Sequence, residues 1–199
     1  MLKNDVIRIG EWERNTKETQ VHIKINLDGN GESDIDTPIG FLNHMLDLFC
    51  KHGGFDMQLK ANGDTHIDCH HLVEDIGITL GIALNKAISK NMGFRRYGNV
   101  YTPMDEALSR VTLDISGRAY LVFKSEFTVD RLGNLDTEMI EEFFIALINN
   151  MKITAHINLL YGRNNHHIAE SIFKGFGRAL KEAVIIDGGL ASTKNLIEL

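Results

Sequence analysis

The spacing of apolar and polar residues predicts one order of elements, repeated along the chain. Two alternating stretches between residues 6 and 27 predict a pair of strands. Apolar residues then recur every three or four positions over 40–50, which predicts a helix ended by a Gly-Gly pair. Alternation returns over 55–61, and a second helical pattern runs over 70–88. The first half therefore predicts two strands, a helix, a strand and a helix.

The second half repeats this order after a break. Residues 93–110 are predicted to be a long connection, because Gly98 and Pro103 interrupt any regular pattern there. The predicted elements that follow are a strand pair over 111–127 that turns at 116–118, a helix capped by Asp136 or Thr137 that runs through Ile148, a strand over 153–159 and a helix over 166–184.

This repetition predicts an α+β protein with internally duplicated ββαβα halves. The repeats cover about 1–93 and 94–199 of a single domain, and a unit that appears only twice is a duplication rather than a solenoid. Because each half has a sheet and two helices with an apolar face, the helices are expected to pack between the two sheets.

The second helix of each half begins with a pair of histidines, followed by a glutamate three positions after the second one. Core packing would repeat apolar residues, but it gives no reason to repeat this polar pattern. Residues three or four apart share a face of a helix, so each glutamate can meet either histidine of its pair. Neighbouring histidines point about 100° apart, so each pair suits two ions better than one. The residues are His70, His71 and Glu74 in the first copy and His166, His167 and Glu170 in the second.

Imidazole and carboxylate ligands suit a divalent ion such as manganese, iron or zinc that keeps open positions for substrate. A single copy of the pattern would be interpreted as solvated histidines at the start of a helix, but two copies in register favour a metal site. His44 alone would be interpreted as a core histidine. Cys69 lies beside the first pair, yet Asn165 replaces it in the second copy, so Cys69 is predicted to be a small buried residue.

Composition restricts the classes of partner. The chain has 199 residues, 43% hydrophobic and 24% charged, and no apolar run reaches the roughly 18 residues that cross a bilayer. The N-terminal sequence does not resemble a signal peptide, and two cysteines fit a reducing compartment, so a cytoplasmic location and no membrane partner are expected. A net charge of -6 argues against a nucleic-acid partner, although a small anionic substrate needs only a few cationic side chains.

A series of ordered motifs covers nearly the whole chain. The motifs are Arg14-x-Thr16-x-Glu18-Thr19, Leu27-Asp28-Gly29, GFLNHML (40–46), HGGFD (52–56), GDTHIDCHHLVEDIG (63–77), PMDEAL (103–108), SGR (116–118), GRNNHHIAESIFKG (162–175) and Ser192-Thr193-Lys194. Together they resemble the imidazoleglycerol-phosphate dehydratase family, lyases of histidine biosynthesis. Two departures are Asn43, where many relatives carry Asp, and Asn195, where Gly is usual.

The resemblance implies a fold like domain 2 of ribosomal protein S5 and two Mn²⁺ ions per active site. It does not allocate ligands to the two ions, and the second half has no histidine that matches His44. The ligands that it implies are His44, His70, His71, Glu74, His156, His166, His167 and Glu170.

The resemblance also implies dehydration of imidazole glycerol phosphate to imidazole acetol phosphate, through a dimanganese-bound imidazolate and a diazafulvene-like intermediate. Glu18 is implied as a catalytic acid or base, and Glu74 can share that role. The phosphate-binding residues that it implies are Arg96, Arg118, Ser192 and Lys194.

Relatives in this family form homo-oligomers of 24 subunits with active sites shared between chains, so self-association is expected here. Two alternatives remain open at this point: a di-metal hydrolase, and a non-enzymatic scaffold that needs metal. Glu18→Gln separates them, because only the dehydratase loses turnover while it keeps its metal and its assembly.

Overall fold

The computed structural model describes residues 7–89 and 93–188, which form four helices and ten strands. The helices are α1 (Gly40–Gly53), α2 (His70–Ile88), α3 (Glu138–Met151) and α4 (Asn165–Ala183). The strands are β1 (Ile9–Asn15), β2 (Thr19–Asn26), β3 (Ser33–Asp36), β4 (Asp56–Gly63), β5 (Tyr97–Met104), β6 (Ala107–Asp114), β7 (Tyr120–Lys124), β8 (Arg131–Leu132), β9 (Leu135–Asp136) and β10 (Thr154–Tyr161).

The duplicated α+β fold is confirmed, with one more strand in each of the two four-stranded sheets than the sequence predicts. One sheet has the order β1-β2-β4-β3 and the other the order β5-β6-β10-β7. In each sheet the edge strand β3 or β7 is parallel to its neighbour, while the other neighbours are antiparallel. The two sheets therefore have the same topology, and β8 and β9 form a small separate hairpin.

The prediction of a long connection over 93–110 is wrong, because these residues include β5 and the start of β6. Pro103 is tolerated in β5 because that strand lies at the edge of its sheet. Gly98 is needed there, since a Cβ at this position would lie 1.9 Å from the carbonyl oxygen of Ala179 in α4. The strand predicted over 120–127 is present as β7, which ends at Lys124. It lies at the edge of the sheet and pairs in parallel with β10.

The predicted helices lie close to their expected positions. α2 ends at Ile88, and Thr137 is the N-cap residue of α3. The Thr137 hydroxyl donates to the carbonyls of Val129 (2.8 Å) and Asp130 (3.3 Å), so it fixes the preceding loop rather than capping the helix. None of the described helices is both long and apolar enough to cross a lipid bilayer.

The helices form the layer between the sheets, as expected. α2 packs on β1 and β2, and α4 packs on β5 and β6. Each of these helices also pairs with a helix from the other half, α2 with α3 and α1 with α4. One buried apolar core runs through both halves and includes Phe49, Phe143 and Phe173. The two His-His helices are thus held in equivalent environments.

Candidate metal centre

The start of α4 meets α1 in a cluster of His44, His166 and Glu170. Glu170 Oε1 lies 3.3 Å from His44 Nε2 and 2.9 Å from His166 Nε2. One ligand atom from each of the three residues lies within 4.8 Å of the others. Helical spacing places His166 and Glu170 on one face, and the pairing of α1 with α4 brings His44 to that face.

The first turn of α4 is fixed by a side-chain cap. The Asn164 side chain accepts hydrogen bonds from the backbone N–H groups of His166 (3.0 Å) and His167 (3.3 Å). Asparagine favours this position because its side-chain oxygen satisfies N–H groups that have no partner in the helix. The local sequence therefore fixes the backbone of the first turn, from which both histidine side chains extend.

Glu170 is buried but stays ionised. Burial alone would raise the pKa of its carboxyl, but hydrogen bonds from Lys174, His166 and His44 outweigh burial and lower the pKa to about 2. Lys174 Nζ lies 2.5 Å from Glu170 Oε2, so the other oxygen, Oε1, faces the two histidines. Sequence reasoning missed Lys174, although its position four residues after Glu170 was a usable signal.

These three residues fit a divalent transition-metal ion. Two imidazole nitrogens and one carboxylate oxygen converge on one point, and such N and O donors suit manganese, iron or zinc. The carboxylate is already ionised, so no proton has to leave it when an ion binds.

A second cluster lies at the start of α2 and contains Glu18, Asp64 and His71. His71 Nδ1 lies 2.9 Å from Asp64 Oδ2 and 3.9 Å from Glu18 Oε2. The hydrogen bond to Asp64 raises the pKa of His71, and the same bond lowers the pKa of Asp64. Glu18 is exposed, and the β1–β2 turn holds it beside the first His-His pair.

The other histidine of the second pair has a carboxylate partner of its own. His167 Nδ1 lies 2.7 Å from Glu106 Oε2, and this hydrogen bond raises the pKa of His167. This hydrogen bond lowers the pKa of Glu106 to about 2, and a bond from the backbone N–H of Asn164 makes the next largest contribution. Glu106 lies in the turn between β5 and β6.

Four of the expected ligands lie outside both clusters within one chain: His167, whose partner is Glu106, and three others. His70 and Glu74 are exposed at the start of α2, and neither joins a group of three ligands among the described residues. His156 lies on β10, between Thr112 and Val122 of the neighbouring strands, and its side chain is exposed. One chain thus brings together some of the expected ligands but not all of them.

The position in α3 that matches His44 holds a carboxylate. α1 and α3 each have 14 residues, and the fifth residue of each is His44 and Glu142 respectively. Glu142 is half-buried on the helix that packs against α2. Glu142 is not a histidine and has no local pattern that marks it, and only its position counted from the start of the helix matches it to His44.

Two of the expected phosphate-binding residues lie far from the clusters. Arg96 Nε lies 2.6 Å from Asp114 Oδ1, and its backbone N–H donates to the carbonyl of Ala183 at the end of α4. Arg118 is exposed in the turn before β7. Ser192 and Lys194 lie outside the described residues.

Cys69 and Asn43 each lie next to a histidine of the expected ligand set. Cys69 is buried as expected, and its Sγ donates to Asp136 Oδ2 at 3.5 Å. The side-chain oxygen of Asn43 accepts a hydrogen bond from the Thr37 hydroxyl (2.5 Å), and its side-chain N–H donates to the Thr37 carbonyl (3.0 Å). Asn43 thus fixes the loop before α1.

The duplicated fold and its histidine–carboxylate clusters define the class of α+β enzymes with candidate metal sites at the starts of paired helices. The chain belongs to the imidazoleglycerol-phosphate dehydratase family, whose model matches residues 37–180. It is therefore a dehydratase, a carbon–oxygen lyase, and the resemblance seen in the motifs is confirmed.

Similar proteins cover nearly the whole chain. The imidazoleglycerol-phosphate dehydratase of Clostridium novyi (strain NT) is 54% identical over 187 residues, 92% of this chain and 95% of the relative. That of Clostridioides difficile (strain 630) is 51% identical over 192 residues, 96% of this chain and 100% of the relative.

Two solved structures share the fold. The crystal structure of the dehydratase from Staphylococcus aureus subsp. aureus N315 has a TM-score of 0.81 and 45% identity, and covers 89% of this chain and 99% of that one. The crystal structure of the enzyme from Pyrococcus furiosus, in complex with (S)-C348, has a TM-score of 0.82 and 38% identity. It covers 94% of this chain and 100% of that one.

Proposed function

We propose that this chain converts imidazole glycerol phosphate into imidazole acetol phosphate in histidine biosynthesis, with two Mn²⁺ ions per active site. The observation that carries the metal assignment is the convergence of His44, His166 and Glu170 within 4.8 Å. The residues proposed to hold the ions are those three together with His70, His71, Glu74, His156 and His167.

The bound ions would act as Lewis acids toward the two nitrogens of the substrate imidazole and so favour loss of the ring proton. Hydroxide is a poor leaving group, but an electron-rich imidazole can expel the hydroxyl from the carbon next to the ring, which gives a diazafulvene-like intermediate. Loss of a proton from the following carbon then gives an enol, and the enol becomes the ketone. Overall, one water leaves and no electrons are gained or lost.

Glu18 is the proposed acid or base for these proton transfers. It lies beside the first His-His pair, 3.9 Å from His71 Nδ1, and its exposed carboxylate can reach a bound substrate. Glu74 is exposed in the first turn of α2 and can share this work through an oxygen that binds no metal.

The proposed phosphate-binding residues are Arg96, Arg118, Ser192 and Lys194. The backbone N–H of Arg96 bonds to the carbonyl of Ala183, at the opposite end of α4 from His166. A helix of 19 residues is about 28 Å long. The glycerol chain that joins the imidazole of the substrate to its phosphate has three carbons and cannot span that distance. This separation supports active sites that combine residues from several copies of the chain.

We therefore propose a closed homo-oligomer, by resemblance of 24 subunits, whose metal ions join neighbouring copies. His156 supports this arrangement, since it faces outward on β10, away from both clusters of its own chain. A cytoplasmic location is part of the same proposal.

The direct test is ketone formation from imidazole glycerol phosphate by purified protein. The protein is stripped of metal with a chelator, dialysed and then resupplied with Mn²⁺. We expect no turnover without metal and recovery of turnover in proportion to bound Mn²⁺. Full turnover by the stripped protein would reject the metal assignment, and failure to form ketone with two Mn²⁺ bound would reject the reaction.

A further inference from the structure

The second histidine of each His-His pair makes the same contact. His71 Nδ1 lies 2.9 Å from Asp64 Oδ2, and His167 Nδ1 lies 2.7 Å from Glu106 Oε2. An ionised carboxylate can only accept a hydrogen bond, so the ring nitrogen at Nδ1 is the donor in both pairs. A neutral imidazole then carries its lone pair on Nε2, which is the atom left to bind another group.

The two carboxylates come from different places in the two halves. Glu106 directly precedes β6, the second strand of its hairpin, whereas Asp64 directly follows β4. The residue that matches Glu106 in the first half is Glu18, which directly precedes β2. Glu18 lies 3.9 Å from His71 Nδ1, beyond hydrogen-bond distance, because Asp64 already occupies that position.

Backbone hydrogen bonds fix both of these residues, through the side chain of Glu106 and through the main chain of Asp64. Glu106 Oε1 accepts hydrogen bonds from the N–H groups of Asn164 (2.7 Å) and Arg163 (3.3 Å), which ties it to the start of α4. The backbone N–H of Asp64 donates to the carbonyl of Glu18 at 3.1 Å, which ties it to the β1–β2 turn. Asp105 also faces His167, with its Oδ2 3.8 Å from Nε2, too far for a hydrogen bond.

We infer that Asp64 and Glu106 are positioning residues for His71 and His167. Each one holds the Nδ1–H of its histidine, so that the Nε2 lone pair points toward the metal. Asp64 bonds the second histidine of the first half, as Glu106 bonds the second histidine of the second half. Glu18, which matches Glu106 in sequence, is therefore left free to exchange protons with substrate. The inference rests on the proposed function for the role of Glu18, but its metal-binding part does not need the substrate.

The first test measures Mn²⁺ affinity of the metal-stripped protein by equilibrium dialysis at fixed pH. Loss of an outer carboxylate partner typically weakens metal binding by about 10–100-fold, and we expect this for both Asp64→Ala and Glu106→Ala. Asp64→Asn, whose amide oxygen can still accept the Nδ1–H, is expected to recover part of the loss.

Glu11→Ala is the matched control. Glu11 Oε1 lies 2.9 Å from His22 Nε2, a similar contact between exposed side chains on strands β1 and β2. Its removal should leave Mn²⁺ affinity unchanged, and circular dichroism should show that all variants keep the fold. Native affinity in both Asp64→Ala and Glu106→Ala would overturn the inference. A loss of one bound Mn²⁺ per site at saturation would instead identify the carboxylate as a ligand and also overturn it.

The second test separates the two carboxylates at saturating Mn²⁺. Glu106→Ala should recover most of its turnover there, because its defect is in metal binding. Asp64→Ala should stay slow, because the freed His71 can bond Glu18, and Asp64→Ala/Glu18→Gln should be no slower than Glu18→Gln alone. Equal recovery by the two single variants would overturn the role of Asp64 toward Glu18. Weakened Mn²⁺ binding in a protein whose native form makes no ketone would instead reject the proposed function and leave the positioning intact.

Discussion

Glu170 combines burial with three hydrogen-bond donors, and this combination controls its charge. Its side chain is 9% exposed, and Lys174, His166 and His44 donate to it. Burial without such donors would raise the pKa of this carboxyl, so the donors maintain an anion where a cation can bind. The residue thus links the packing of α1 against α4 to the charge of the proposed metal site.

The depressed pKa of Glu170 predicts how stability depends on pH. The folded-state pKa is about 2, below the ordinary value of 4.5, so the stabilisation is fully present above pH 4.5 and is lost as pH falls toward 2. Glu106, whose pKa is also about 2, contributes in the same direction. We expect the melting temperature of the metal-free protein to fall across this range.

The Lys174→Met variant tests whether Lys174 keeps the pKa of Glu170 low. Removal of a hydrogen bond to a charged group costs about 1.5–3 kcal/mol, so we expect a lower melting temperature at pH 7 and a loss of stability that begins at higher pH. Melting curves between pH 7 and pH 2 measure both effects, with Lys86→Met, on the exposed side of α2, as the control. A pH profile identical to that of the native protein would show that Lys174 does not maintain the charge of Glu170.

The residues of the candidate site were visible in sequence to different degrees. The two His-His-x-x-Glu patterns stood out because their spacing matches a helix face. Asp64 and Glu106 did not, since a carboxylate in a loop has no spacing that ties it to a distant histidine. Glu18 was unremarkable for the same reason and entered only through the family resemblance. Contacts across a turn or between helices depend on tertiary packing, which a local pattern does not encode.

At the scale of elements, the paired helices approach closely at two equivalent glycines. A Cβ at Gly177 in α4 would lie 2.5 Å from the carbonyl oxygen of Phe49 in α1. A Cβ at Gly81 in α2 would lie 2.5 Å from the carbonyl oxygen of Leu147 in α3. The two glycines are equivalent in the repeat, so both helix pairs use the same contact to set their spacing.

Gly177→Ala should separate α1 from α4, because a backbone carbonyl cannot move aside as a flexible side chain can. Overpacking of this kind costs about 1–3 kcal/mol, partly offset by the better helix propensity of alanine. We expect a lower melting temperature of the metal-free protein, and weaker Mn²⁺ binding because His44 moves away from Glu170. Gly81→Ala should cost a similar amount.

Gly40→Ala is the matched control, since a Cβ there would meet no atom within 4 Å. It should change stability by no more than a few tenths of a kcal/mol. If Gly177→Ala were as stable as Gly40→Ala, the close approach would not set the spacing between the helices.

The elements themselves were predicted where periodicity was strong. All four helices and the strands with several inward apolar residues, such as β2 and β4, follow from their patterns. β3 was missed because Ser33–Asp36 contains one apolar residue, Ile35, which gives no alternation to detect. β5 was missed because Gly98 and Pro103 are strong local signals for a break, and the contact with α4 that explains Gly98 lies about 80 residues away in sequence.

At the scale of the whole molecule, the separation of the proposed ligands predicts that metal supports assembly. Three ligands converge within one chain, while His70, Glu74 and His156 lie apart from them. If neighbouring copies complete the ion's coordination, a chelator should dissociate the assembly into smaller species, and Mn²⁺ should restore it. Size-exclusion chromatography with light scattering measures this, with the Glu11→Ala variant as the control. An assembly of unchanged mass after complete metal removal would reject the bridging role.

Glu18 and Arg96 lie at a distance from each other in one chain. Glu18 precedes β2, and the far end of that strand lies beside Arg8, whose guanidinium reaches the carbonyl of Val184 (2.5 Å). Arg96 donates to the adjacent carbonyl of Ala183. β2 has eight residues, so about 26 Å separates the proposed proton-transfer residue from the proposed phosphate-binding residue of the same chain.

If both residues serve one substrate, they must therefore come from different copies. Glu18→Gln and Arg96→Ala should each lose most turnover alone, by about 10²-fold or more for the proton-transfer variant. Co-expression of the two differently tagged chains, followed by purification through both tags, should recover a substantial fraction of native turnover, because some sites then receive Glu18 from one chain and Arg96 from another.

The control is the double variant Glu18→Gln/Arg96→Ala co-expressed with native chains. In that mixture the intact residues all come from native copies, so turnover should follow the share of sites built from native chains alone. Complementation above either single variant requires a shared site, because two chains that each carry one defect cannot form a complete site within either chain. Mixed assemblies of full size and metal content that stay as slow as the single variants would show that Glu18 and Arg96 do not serve a common substrate across chains.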